Sequence, residues 1–485
     1  MTQPTRLSKS KIMSGLQCQK RLWLEVHRPD LLEITPDMQQ RFDAGHVVND
    51  AARGLYPGGA FIDSGSTDKN LVETQRLLAE TDASPLFEAT FIHRNVVVRA
   101  DVLHRDADGC RLVEVKSAAS VKDPYYPDCA VQAWVLKGAG MPLQCVSLAH
   151  INNEFVYQGD GDYHGLFTEV DLTGDIKPLL KEVPRWTKSF EQTLAGDEPS
   201  IDIGDHCTKP YDCPFMNYCA PATGAFPLAG LPGRKEIAKT LAAEGITDIR
   251  DIPDGRLGND KQEWVRQVTI AGRAELREDA VAALHDLGWP RHYLDFETVM
   301  FAVPIWTGTR PYQPLPFQWS CHIESADGKV IHREFLDTSG EPPMRACAES
   351  LMEALGRAGP VIVYGGYEGM VIGQLMGRFP DLAEPLAALR QRLVDLLPVV
   401  RGAYYHPEMR GSWSMKAVLP TIAPHLDYST LGEVQEGGAA GATYLELIHP
   451  KTEDNRRAQL KTDLLAYCHQ DTLGLVEIMR YLTGR

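Results

Sequence analysis

The sequence predicts an α/β protein with two sheet-bearing domains joined by a helical stretch. Three observations predict it. The chain has 485 residues, too many for one compact core. Apolar runs of strand length recur near both ends, and they alternate with helical patterns. Between them, residues 226–287 read as helical and charged, with breakers at Leu231-Pro232-Gly233 and Gly245-Ile246-Thr247. The predicted domains are therefore 1–225, 226–287 and 288–485.

The elements follow in order. In the first domain, 95–104, 111–116 and 144–152 read as strands. The Asp-Ala-Asp-Gly turn at 106–109 makes a hairpin of the first two, and 129–137 reads as a helix. The middle stretch reads as a linker whose punctuation also suits a helix–hairpin–helix unit. In the last domain, 291–296, 317–324, 330–336 and 361–365 are expected strands, and 343–357, 368–378 and 460–482 are expected helices. There is no internal repeat or low-complexity tract.

Composition narrows the function classes. The content of 44% hydrophobic and 24% charged residues is that of a globular protein. No apolar run approaches the ~20 residues that span a bilayer. The first ten residues lack the apolar core of a signal peptide, so a cytoplasmic location is the expectation. The net charge of −16 argues against a broadly basic surface but leaves room for a local groove. Metal-binding carboxylates, where a chain carries them, count as negative until metal arrives, so the acidic balance alone excludes little.

The first candidate site is on the hairpin. Asp101 ends one strand, and Glu114 and Lys116 are two residues apart on its partner, so they share a face. Two carboxylates can hold a divalent cation, and a lysine can meet a phosphate or the attacking water. Phosphodiester hydrolysis needs these parts. A solvated hairpin could carry the same charges, but here they interrupt apolar runs (Val96, Val97, Val98; Leu112, Val113, Val115). Gln132 follows on an apolar helix, and His46 lies upstream on another. In this order the residues resemble the PD-(D/E)XK nuclease superfamily, closest to its RecB-like group, which includes CRISPR-associated exonucleases. The resemblance implies a restriction-endonuclease-like fold. It implies that His46, Asp101 and Glu114 bind Mg2+ or Mn2+, that Lys116 is catalytic, and that Gln132 supports the site. Tyr157 resembles a further tyrosine of the family.

Three of the ten cysteines, Cys207, Cys213 and Cys219, recur with five residues between neighbours. A tetrahedral thiolate site needs a fourth, and Cys18 is the natural candidate; His206 is an alternative ligand. Zinc sites favour Cys-x2–4-Cys pairs, and none occurs, which points instead to an iron–sulfur cluster. One early and three late cysteines, bracketing the nuclease motifs, are similar to the iron–sulfur RecB-like nucleases. The implied cofactor is a 4Fe–4S cluster that staples the two ends of the domain together.

The second candidate site gathers four acids. Asp295 and Glu297 are two apart on a strand, Glu368 starts a helix after a strand, and Tyr467 lies one helical turn from Asp471. Four acids at a sheet can hold two metal ions about 4 Å apart, and Tyr467 can hydrogen-bond the attacking water. The set resembles the RNase H-like DEDD exonucleases, tyrosine subclass. That family usually offers Asp in its second motif; this chain offers Glu368, with Asp395 as an alternative or additional acid. The segment 411–420 is also similar to these domains, Ser412 capping a helix and Lys416 near the substrate backbone. Both domains together resemble bacterial RecB-like nucleases with a C-terminal RNase H-like domain.

The expected function is thus a metal-dependent nuclease, foremost a DNA exonuclease acting on single strands or ends. RNA processing and a nucleic-acid-binding scaffold with one silent site are the alternatives. Tyr125, Tyr126, Trp306 and Trp413 are aromatics that could stack bases or pack in cores. Protein partners, polarity and pathway are not legible.

Overall fold

The computed structural model describes residues 6–80, 85–106, 109–220, 224–233, 236–435 and 437–485. It is mixed α/β and divides into two compact units: residues 1–221 with 301–313, and 222–300 with 314–485.

The first unit is built on a seven-stranded sheet of β1 (Leu7–Ser8), β2 (Ala60–Phe61), β3 (Leu86–His93), β4 (Val96–Asp106), β5 (Gly109–Lys116), β6 (Leu143–Ile151) and β7 (Phe167–Asp171). The order is β2-β3-β4-β5-β6-β7, with β1 on β4. The predicted hairpin is β4–β5, though residues 107 and 108 of its turn lie outside the described residues. β4 is shared in halves: residues from Val102 onward pair with β5, while Val96 and Val97 pair in parallel with β1. Alternation then sorts the side chains of β5. Val113 and Val115 pack with Val48 and Ala52 of the helix Pro36–Gly54. Leu112 joins the core built with the helix Tyr125–Gly138, whose Cys129, Ala130, Val131, Ala133, Val135 and Leu136 are all buried.

The second unit contains a five-stranded sheet, order β11-β10-β9-β12-β13, of β9 (Arg291–Val299), β10 (Leu315–Glu324), β11 (Val330–Leu336), β12 (Val361–Val363) and β13 (Leu393–Asp395). β10 runs antiparallel to both β9 and β11, and β12 and β13 run parallel to β9. A short ladder pairs β8 (Glu275–Leu276) with β14 (Tyr404–Tyr405). The C-terminal helix, Asp454–Leu482, packs on β9 and β10. At Gly474 it comes so close to Leu419 that a Cβ would lie 2.8 Å from Leu419 Cδ2.

Two boundaries differ from expectation. The stretch 226–287 has a small core of its own (Leu228, Leu231, Leu241, Ile249, Ile252, Leu257), yet it belongs to the same compact unit as the second sheet. Arg410 donates to the Ala225 carbonyl at 2.9 Å, and the Trp264 and Tyr405 rings sit 6.0 Å apart. At Gly411 (φ 79°) any Cβ would collide with the Gly230 carbonyl. Residues 301–313 pack in the first unit, where the Thr309 carbonyl accepts from Tyr157 N–H at 3.0 Å. Strand ends otherwise fall within three residues of those expected. The last helix starts at Asp454 rather than 460, because its first turns are polar and show no apolar period. Among the described residues no helix is long and apolar enough to cross a membrane.

Candidate metal centres and a cysteine cavity

Asp101 and Glu114 would be the next cross-strand pair after Val102–Val113, but the ladder between β4 and β5 stops at Val102. Where the strands part, the Asp101 side chain takes over the pairing, and its Oδ2 accepts from Val115 N–H at 2.8 Å. Glu114 is 1% exposed. Its Oε1 accepts from Lys116 Nζ at 2.6 Å and from Lys9 Nζ at 2.7 Å, and its Oε2 accepts from the Gln132 amide at 2.6 Å. Asp128, one turn before Gln132, receives Lys116 at 2.7 Å and Lys9 at 3.2 Å. The structure thus joins Asp101, Glu114, Lys116 and Gln132 as expected and adds Lys9 and Asp128. Gln132 Oε1 is buried without a partner, an acceptor aimed at nothing the protein supplies.

His46 and Tyr157 are not in this network. His46 is exposed on the helix Pro36–Gly54, whose buried Val48 and Ala52 face Val113 and Val115, on the side of β5 opposite Glu114. Tyr157 stacks on Tyr163 with ring centroids 5.0 Å apart, and its hydroxyl accepts from Gly161 N–H at 2.9 Å.

The charges are strongly coupled. Burial, then the nearby Glu114 charge, pushes the Asp101 carboxyl up to about 8. Burial works the same way on Glu114, but Lys116 and Lys9 outweigh it and hold Glu114 well below the usual carboxylate range. Burial of Lys116 is likewise outweighed by Asp128 and Glu114, which raise it. One acid is therefore kept charged and its neighbour kept reluctant to charge, a polarised pair that a divalent cation would resolve.

Cys18, Cys207, Cys213 and Cys219 line one cavity with about 330 Å³ of empty space including its mouth, together with Lys20, Arg21 and His206. None is in a disulfide. Gln17 fastens the loop beside it, donating to the carbonyls of His206 and Tyr211, both at 2.7 Å. Burial raises the Cys213 and Cys219 thiols; Arg21 opposes this at Cys213 and Lys20 at Cys219, while Cys207 and Cys18 lie near enough to add to it. No three of these sulfurs form one of the close ligand groups of the described residues, in which atoms lie within 4.8 Å of one another. A single tetrahedral zinc ion, with Zn–S about 2.3 Å, needs sulfurs about 3.8 Å apart. The donor set and its wider spacing fit a cluster better than one ion.

In the second unit, Asp295 and Glu297 of β9 meet Glu368 from the first turn of the helix Tyr367–Arg378 and Asp471 from the C-terminal helix. Glu297, Glu368 and Asp471 are buried. Asp295, Glu297 and Cys468 form a close ligand group, with Cys468 Sγ 4.0 Å from Asp295 Oδ2. Burial and mutual repulsion raise Asp295 and Glu297 well above the usual range. Burial pushes Glu368 up to about 7, against hydrogen bonds from its own backbone and Asp295. Burial pushes Asp471 up to about 6, against Tyr428, Lys416 and Tyr467. Glu368 Oε2 is buried with no partner. Four acids with an orphaned oxygen among them fit divalent cations.

Tyr428 donates to Asp471 Oδ1, and its ring centroid lies 6.0 Å from that of Tyr467. Lys416 Nζ sits 5.6 Å from both ring centroids and donates to the Gln435 carbonyl at 2.7 Å. Asp395 is turned to structural work. Its Oδ1 accepts from Gly365 and Leu397 N–H at 2.7 and 2.9 Å, capping the helix Leu396–Ala403. The helix of Lys416 starts at Met415, so Ser414 rather than Ser412 stands at its N-cap position, with no side-chain hydrogen bond to the first turn. Tyr125, Trp306 and Trp413 are buried. The Trp413 indole donates to the Tyr404 carbonyl at 2.9 Å, and the Tyr125 ring lies 5.4 Å from Lys116 Nζ. Tyr126 packs against the core of the first unit. These aromatics serve packing.

Lys9 and Asp128 escaped the sequence reading for different reasons. Asp128 stands one helical turn before Gln132, a legible signal. Lys9 lies 105 residues from Glu114, and nothing local marks it. Tyr428 and Cys468 carried no pattern either.

A protein-family model described as a domain of unknown function (DUF2779) matches residues 292–414, a span containing Asp295, Glu297 and Glu368. No curated protein matches the chain.

Proposed function

We propose that the chain is a metal-dependent nuclease that hydrolyses phosphodiester bonds, foremost a DNA exonuclease acting on single strands or ends. In this reading the first unit is a RecB-like PD-(D/E)XK domain with a 4Fe–4S cluster, and the second carries an RNase H-like DEDD exonuclease site. The observation that carries it is the meeting of Asp295, Glu297, Glu368 and Asp471, brought together from one strand and two helices beside Tyr467. A structural role alone would leave these acids paired with cations, whereas among the described residues Lys416 is the cation acting on Glu297 and Asp471 and no ion pair holds any of the four.

Asp295, Glu297, Glu368 and Asp471 would hold Mg2+ or Mn2+, as would Asp101 and Glu114 in the first unit. Such ions supply a hydroxide nucleophile and shield the leaving oxygen. The chain's own residues do the rest. Tyr467 orients water next to Asp471, Lys416 offers charge to a phosphate, and Lys116 does the same at Glu114. Cys18, Cys207, Cys213 and Cys219 would hold the cluster, tying residue 18 to the segment 207–219.

One observation favours a second reading for the first unit. Lys9 already neutralises Glu114 and Asp128, so that site would be a closed ion-pair network and the unit a nucleic-acid scaffold. The test is cleavage of labelled single-stranded DNA, duplex DNA and RNA by anaerobically purified protein with Mg2+ or Mn2+. Asp295→Ala and Asp101→Ala are assayed alongside. Loss in Asp295→Ala alone selects the scaffold reading for the first unit. Cleavage unchanged in both variants, or none of any substrate, sinks the proposal.

A further inference from the structure

A second group of potential ligands in the second unit is formed by histidines alone. His322 on β10 and His332 on β11 are directly opposite in the antiparallel register, their ring centroids 4.6 Å apart. His469, from the C-terminal helix, covers both at 4.6 and 4.4 Å. One ring nitrogen from each lies within 4.8 Å of the other two. His322 is buried and the other two are half-buried.

Hydroxyl groups fix two of these rings. Thr472, fully buried, has its Oγ1 2.9 Å from His322 Nδ1, and Ser320 Oγ is 2.8 Å from His332 Nε2. The two hydroxyls are 2.7 Å apart, and Thr472 donates back to the His469 carbonyl at 3.1 Å. Each hydroxyl has one proton. If Thr472 donates to its helix, it accepts from both His322 Nδ1–H and Ser320; Ser320, having given its proton to Thr472, accepts from His332 Nε2–H. Both imidazoles then carry their proton on the hydroxyl side, leaving His322 Nε2 and His332 Nδ1 as bare lone pairs. This is how hydrogen bonding on one nitrogen prepares the other for a metal. Glu334 Oε2, 3.9 Å from His332 Nδ1, adds a carboxylate at the rim.

We propose that His322, His332 and His469, with Glu334 as the fourth donor, form a zinc-class metal site that clamps the C-terminal helix onto β10 and β11. Imidazole donors select a borderline ion such as Zn2+ over Mg2+ or Mn2+, so this site and the acid cluster take different metals. Zn–N bonds of about 2.1 Å need nitrogens about 3.4 Å apart, within reach of small side-chain rotations from the spacing seen. The clamp has a structural consequence: His469 lies next to Cys468 and two residues from Asp471, so the ion would hold the helix that presents Asp471.

The test uses the full chain in a Cys213→Ser/Cys219→Ser background, which removes thiolate competition, with Mg2+ in excess to fill the acid cluster. After EDTA stripping and Zn2+ addition, bound zinc is counted after dialysis and melting temperature is followed. The parent should retain one more zinc per chain than His469→Gln or His332→Gln, and the zinc-induced rise in melting temperature should vanish in both variants. X-ray absorption of the zinc-loaded parent gives a readout that needs no further variant, and should show imidazole scattering from several ligands. Equal zinc content in parent and variants, or a zinc spectrum without multiple imidazoles, overturns the site. Neither readout involves cleavage, so failure here is separate from failure of the nuclease reading.

Discussion

Lys9 Nζ lies 2.7 Å from Glu114 Oε1 although the two residues are 105 apart in sequence. The contact brings the first helix of the chain to the centre of the first sheet. It also makes Glu114 one of the most heavily neutralised acids in the protein, held by two lysines and an amide. Lys9→Met should therefore destabilise the fold by about 1–3 kcal/mol, less than the cost of breaking an isolated buried pair because Lys116 remains. Urea denaturation measures it. Cleavage attributed to this unit should fall about tenfold as Glu114 loses its orientation. An unchanged midpoint would show that Lys9 is a bystander.

The acids make stability depend on pH and metal in a definite direction. Asp101, Glu368 and Asp471 have folded values raised to about 8, 7 and 6. A raised acid contributes stability that is complete below its unfolded value, near 4, and is lost as pH rises through the folded value. Glu114 is shifted down, so its contribution is already complete above pH 5 and does not alter this window. The imidazoles of His322 and His332 are shifted down by burial and add stability until about pH 6.5, where the unfolded rings lose their protons, so the acids act alone only above that. In EDTA the melting temperature should therefore fall between pH 7 and pH 8, the loss amounting to about 1–3 kcal/mol. Saturating Mg2+ or Mn2+ should flatten that fall, because the cation takes the place of the protons. A melting temperature that climbs from pH 7 to pH 8 in EDTA would contradict the arrangement.

The hairpin and its charges were readable because the side-chain period of a strand is fixed: Glu114 and Lys116 had to share a face once 111–116 was a strand. Asp295 and Glu297 were readable for the same reason, Asp471 by its helical spacing from Tyr467, and Glu368 by its place where a helix follows a strand. What closes each site was not readable. Lys9, Tyr428 and the three histidines reach their partners through tertiary folding, and a single sequence has no period linking residue 9 to 114 or 332 to 469. His46 shows the converse limit. The pattern placed it on a helix, as found, but not on which side of the sheet that helix would pack.

The cysteine cavity gives a chemical test that needs no substrate. Anaerobically purified protein should contain about four irons per chain and show the broad visible absorption of a cluster. Cys213→Ser should lose most of the iron, since Cys213 is buried in the cavity wall and a serine oxygen is a poorer ligand for iron. Because the ligands join residue 18 to the segment 207–219, the same variant should become sensitive to protease in that segment. Full iron retention, or zinc in its place, would remove the cluster from the proposal.

Two tyrosines flank Asp471, and they should not behave alike. Tyr428 donates to Asp471 Oδ1 and thereby favours its charged form. Tyr428→Phe removes that donor, so Asp471 should titrate higher and the acid limb of the pH–rate profile should move up by about one unit. At pH 8, where Asp471 is ionised either way, the variant should cleave nearly as well as the parent. Tyr467 faces the same acid but, in the proposed reaction, its phenol holds the attacking water. Tyr467→Phe should therefore lose activity at every pH, on the order of a hundredfold in kcat with little change in KM, as expected when a group acts chiefly in the transition state. If Tyr428→Phe is equally inactive at pH 8, the two phenols share one role and the water cannot be assigned to Tyr467 alone.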